Sequence, residues 1–166
     1  MKEYNWNEFV KRITVHAEPQ KIFDAWSTQQ GLESWFLKKA EFTSANKIIR
    51  KKDEYIQPGD SYEWLWFGYP DSTTEKNTII ETNGVGYLKF YFSGNCVVSV
   101  FIKKENEEII CELQQEMTTV GKDERQFFYI ECGNGWTFYL ANLKSVLEGG
   151  LDLRNKNENI QCVINA

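Results

Sequence analysis

The chain has 166 residues, 42% hydrophobic and 15% aromatic, with a formal net charge of -5. It is long enough for one domain with a full core, and too acidic for a nucleic-acid surface, which needs a concentrated positive face. No apolar run approaches the roughly 20 residues of a membrane span, and Met1–Trp6 lacks the apolar stretch of a signal peptide, so a cytoplasmic protein is expected.

Residues 9–16 alternate well enough for a strand, with Ile13 and Val15 on one face and His16 on the other. Glu18-Pro19 starts a helix whose apolar stripe is Ile22, Phe23 and Trp26. Thr28 caps a second short helix carrying Leu32, Trp35 and Phe36. Ala40 and Phe42 mark the next strand, and the charged stretch 44–55 reads as a loop or a ragged hairpin. Pro58-Gly59-Asp60 is a turn signal. After it, Tyr62, Trp64 and Trp66 alternate with Glu63, Leu65 and Phe67, so the strand carries rings on both faces near its end.

Four further strands follow, over 77–82, 87–93, 97–104 and 108–117. The turns between them are Asn83-Gly84, Gly94-Asn95 and Glu105-Asn106-Glu107, short enough to make one curved antiparallel meander. The last third changes period. Phe128, Cys132, Trp136, Leu140, Leu143 and Leu147 form one stripe of a helix from Asp123 to Glu148, about 39 Å long, ended by Gly149-Gly150. Gly133 and Gly135 lie inside it, where the helix kinks, breaks in two, or approaches another surface.

Three phrases carry a family resemblance. Ala17–Trp26 looks like the phrase that follows the first strand in the family resembling the C-terminal domain of the activator of the 90-kDa heat-shock protein ATPase. Leu32-Glu33-Ser34-Trp35-Phe36 resembles its second-helix ending, and Gly135–Glu148 its final-helix signature. That family belongs to the START-like, or polyketide-cyclase-like, superfamily. The resemblance covers residues 9–150 and implies an α+β helix-grip fold, a curved antiparallel sheet around a long C-terminal helix with two short helices after strand one. It implies one domain over 1–150. The tail over 151–166 departs from the family by running past the usual end of the helix, and its apolar Ile160, Val163 and Ile164 are expected to pack on the body or on a second subunit, as a lid or an oligomer contact. The separate N-terminal domain of the eukaryotic activator has no counterpart here, which weakens a chaperone partnership.

In such folds a cavity often lies between sheet and helix. The residues expected to line it are Trp35, Phe36, Trp64, Trp66, Phe90, Trp136 and Leu140, and the expected ligand is a small apolar molecule. Glu63, Glu81, Glu112 and Glu116 read as solvated strand carboxylates rather than acid–base groups. His16 is the single histidine and reads as an exposed strand residue. Cys96, Cys111, Cys132 and Cys162 form no C-x-x-C pair and read as reduced, small apolar residues. No metal, cofactor or catalytic constellation is expected. An enzyme of cyclase or hydrolase type using the same cavity is the alternative, and a chaperone-associated protein a third reading. Ile160, Val163 and Ile164 in the tail favour a homodimer over a monomer.

Overall fold

Alternating apolar residues and short turns leave this chain little choice but neighbouring antiparallel strands. The computed structural model describes residues 4–117, 120–160 and 163–164. The elements are β1 (Glu8–Thr14), α1 (Pro19–Ser27), α2 (Gln29–Trp35), β2 (Lys39–Thr43), β3 (Ser61–Leu65), β4 (Glu75–Thr82), β5 (Tyr87–Phe92), β6 (Cys96–Glu105), β7 (Glu108–Glu116) and α3 (Lys122–Leu147). The strands form one seven-stranded sheet in the order β1-β7-β6-β5-β4-β3-β2, with every pair antiparallel. β2 to β7 are the expected meander, and β1 closes it against β7. This is the α+β helix-grip architecture.

Local chemistry explains the joints. Thr28 Oγ1 accepts the Gly31 N–H at 2.9 Å, the expected cap of α2. Gly31 permits the sharp turn between α1 and α2, because a Cβ there would stand 2.1 Å from the Asp24 carbonyl oxygen. In the β6–β7 hairpin, Asn106 and Glu107 both take positive φ, the pair of conformations that matches strand twist. A register shift between Ile79 and Glu81 interrupts the β4–β5 ladder.

The helix α3 is continuous, with neither a break nor a second helix at its glycines. Nor do the two glycines mark a tight approach. A Cβ on Gly133 would meet only the Lys11 side chain at 3.9 Å, and one on Gly135 would meet nothing within 4 Å. Trp136, Leu140 and Leu143 are buried in the core, and Cys132, Phe128 and Leu147 pack beside it. Trp136 reaches β7, where its indole N–H donates to Gln115 Oε1.

The start of the tail is bound to the body. Arg154 is buried, and its guanidinium donates to the carbonyls of Leu37 and Glu33, each at 3.0 Å, just where α2 ends. Asp152 holds the other side of that guanidinium at 2.7 and 2.9 Å. Asn142, fully buried on α3, donates to the Trp35 carbonyl and accepts the Leu153 N–H. Phe67 lies beneath Arg154, 5.4 Å from ring centroid to guanidinium, which accounts for a ring on the outer face of the chain after β3.

Candidate functional site

The residues selected from the sequence divide into two groups. Trp35, Trp64, Phe90 and Leu140 lie in the packed interior, at 0%, 2%, 0% and 3% exposure. Trp35 stands edge-on to Trp26 at 4.6 Å, and Trp64 edge-on to Phe90 at 5.5 Å, so neighbouring rings fill the space between helix and sheet. Trp66, Phe36 and Trp136 lie at the edge of that interior, where open space begins.

That space is a cleft of about 690 Å³ between α3, the ends of β4 and β5, the 66–73 loop and the tail. A recess of about 190 Å³ leads inward from it. Trp66, Tyr69, Phe92 and Tyr139 border both. Phe36, Trp136 and Cys132 line the recess. Trp136 is fixed there by Phe36 at 5.0 Å, Phe92 at 5.2 Å and its bond to Gln115. Val163 and Ile164 of the tail border the outer cleft.

The helix contributes one face to the cleft. Glu131, Gly135 and Tyr139 are four residues apart and therefore stack on one side of α3, next to the core stripe. Gly135 leaves a gap in that face, since nothing lies within 4 Å of its absent Cβ. Asn134 borders the cleft beside it.

The sheet contributes Glu75. It begins β4 on the same side as Asn77 and buried Ile79, because alternate strand residues share a face. Its Oε1 accepts the Ser93 N–H at 2.9 Å. Burial pushes its carboxyl above the ordinary range, against the Ser93 amide and the Asn77 side chain, which hold it down. Glu75, Ser93, Glu131, Asn134 and Tyr139 were not among the residues selected from the sequence. The signals were parity counted back from Ile79 and a second four-residue stripe on α3.

The cysteines carry little nucleophilic character. Burial pushes the Cys96 thiol up to about 11 and the Cys111 thiol up to about 12. Burial raises Cys132 as well. All three are free thiols, and Cys162 lies outside the described residues. Among the described residues no three His, Cys, Asp or Glu side chains stand close enough to hold a metal.

The carboxylates weighed from the sequence lie away from the cleft. Glu112 pairs with Arg12 at 3.0 Å and Lys103 at 2.7 Å, and Glu63 pairs with Lys76 at 3.0 Å. Glu81 accepts from Tyr87, and Glu116 pairs in register with Glu8 of β1. His16 is exposed at the far end of β1, 3.0 Å from Glu108. No helix among the described residues is long and apolar enough to cross a membrane.

No family model matches the chain, and no curated protein matches it. Among solved structures it is similar to the protein SSP2350 from Staphylococcus saprophyticus, with 11% identity, a TM-score of 0.67, and coverage of 89% of this chain and 96% of that one. It is similar to the Aha1 dimer from Colwellia psychrerythraea, with 17% identity, a TM-score of 0.64, and coverage of 86% and 97%. It is also similar to DynU16, a protein in the dynemicin biosynthetic locus, with 15% identity, a TM-score of 0.66, and coverage of 90% of this chain and 50% of that one. Identities this low establish the fold alone, the helix-grip architecture described above.

Proposed function

We propose that this protein is a START-like binding module that takes a small, largely apolar molecule into the cleft between α3 and the ends of β4 and β5. One observation carries the reading: a space of about 690 Å³ walled by aromatic rings, into which the helix presents a glycine. Ligand sites combine such apolar walls with a few polar groups. Here Trp66, Tyr69, Phe92 and Tyr139 supply the walls, and Ser93, Asn134 and the two glutamates the polar groups. Of the residues selected from the sequence, Trp66, Phe36 and Trp136 are proposed as contacts. Trp35, Trp64, Phe90 and Leu140 act from behind, by holding those rings in place.

The three sequence phrases and the likeness to the Aha1 dimer support placing the chain near the heat-shock ATPase activator family. The same likeness supports a homodimer, with a chaperone as the less supported partner. A second reading, an enzyme of cyclase or hydrolase type, draws on the Glu75 carboxyl, which is raised by burial at the edge of the cleft as a general acid requires. Binding stands first because no described nucleophile–base pair faces the cleft: the Cys132 thiol is raised by burial and His16 is remote.

The test is a thermal-shift screen of a broad library of aromatic and aliphatic compounds, run on the native chain and on Gly135→Leu. A ligand that favours the folded state raises the melting temperature with concentration. The leucine enters open space and replaces a poor helix residue, gaining roughly 1 kcal/mol in helix propensity, so it folds at least as well while filling the cleft. Responses in the native chain that vanish in Gly135→Leu support the reading. A library with no responses, or responses unchanged by the leucine, refutes it.

A further inference from the structure

The charge of the cleft is one-sided. Its only charged lining residues among those described are Glu75 and Glu131, with no lysine or arginine beside them. Among the described residues neither takes part in an ion pair, although Glu33, Glu41, Glu63, Glu112 and Glu148 all do. Glu75 is half-buried, and the Ser93 N–H is a neutral donor that leaves its charge uncompensated. A neutral apolar ligand would bury that carboxylate further without a counter-charge, which costs free energy. An anionic ligand would add repulsion. A cation would do the opposite, because an opposite charge stabilises a desolvated carboxylate. The remaining walls favour the same ligand: Trp66, Tyr69, Phe92 and Tyr139 are aromatic, and a ring face attracts a cation.

We propose that the cleft selects an organic cation, an ammonium group on an aromatic or aliphatic body, with the nitrogen between Glu75 and Glu131 and the body against the rings. This rests on the binding reading above and adds the charge of the ligand to it.

The experiment uses three probes with one body: 2-(2-naphthyl)ethylamine, 2-naphthylacetamide and 2-naphthylacetate, which are cationic, neutral and anionic. Binding is measured by calorimetry at neutral pH on the native chain, on Gly135→Leu, and on Glu75→Gln/Glu131→Gln. The side-chain amide introduced by Glu75→Gln keeps an oxygen for the Ser93 N–H, and a melting curve confirms that the double variant folds. The amine is expected to bind about tenfold or more tighter than the amide, and the carboxylate weakest. The double variant should remove most of that advantage, and Gly135→Leu should abolish binding. Equal binding of amine and amide overturns the inference but leaves the binding reading standing, as does an amine advantage that survives the double variant. If no probe binds and the library responders are neutral or anionic, the inference falls alone. If nothing binds at all, both fall.

Discussion

The indole N–H of Trp136 donates to Gln115 Oε1 at 2.8 Å, tying α3 to β7 beneath the recess. The ring is 2% exposed and packs on Phe36, Phe92 and Trp26. It is therefore a strut as well as a wall. Trp136→Ala should cost about 3–5 kcal/mol in urea unfolding, as for other buried aromatics. Trp136→Phe keeps most of the volume but leaves the Gln115 oxygen without its donor, at a cost of about 1–3 kcal/mol. A loss below about 1 kcal/mol for the alanine variant, well under the buried-aromatic range, would show that the ring carries little of the fold.

Leu143 is fully buried on the same stripe. Leu143→Ala should lower stability by about 2–5 kcal/mol by equilibrium denaturation. Thr137 is exposed on the same helix, and its hydroxyl donates to the Gly133 carbonyl. Thr137→Ala should stay within about 0.5 kcal/mol, as surface changes do.

Asp152 gives the tail clamp a pH dependence. Burial opposes its charge, but hydrogen bonds from Arg154, Lys156 and Asn142 outweigh burial and hold its carboxyl well below the ordinary 3.8. The unfolded chain thus binds a proton at a pH where the folded chain does not. The clamp's contribution is complete above the ordinary aspartate value and is lost as pH falls below it. Asp152→Asn should be less stable than the native chain at neutral pH. The difference should shrink below about pH 4. A difference independent of pH between neutral and acid melts would remove Asp152 as its source.

Ile160 and Ile164 are exposed at 49% and 85%. If they serve a homodimer, light scattering should give twice the chain mass, and a chain ending at Lys156 should give the single mass. That truncation retains Asp152 and Arg154, so it leaves the clamp intact. A single mass for both chains excludes a dimer, and a doubled mass for both excludes the tail as its contact.

The elements were legible in the sequence because periodicity is local. Alternation at Tyr62 and Trp64, the turn residues Asn106 and Glu107, and four-residue steps from Phe128 to Leu140 each report their own backbone geometry. Together with the short hairpins they determine a meander and a final long helix. Tertiary structure alone decided which rings meet space. Trp64 on β3 and Trp66 just past its end are two residues apart and equally apolar, yet the first is enclosed by Tyr62 and Phe90 and the second borders the cleft. Burial by a distant element leaves no mark on a residue's own neighbours in the chain. The same holds for Glu75 and Glu131. They are 56 residues apart in the numbering, and they border one cleft because the start of β4 comes to lie beside one face of α3. The sequence by itself determined that a helix would lie in the grip of a sheet. Packing between elements distant in the chain determined where that grip stays open, and which charges face the opening.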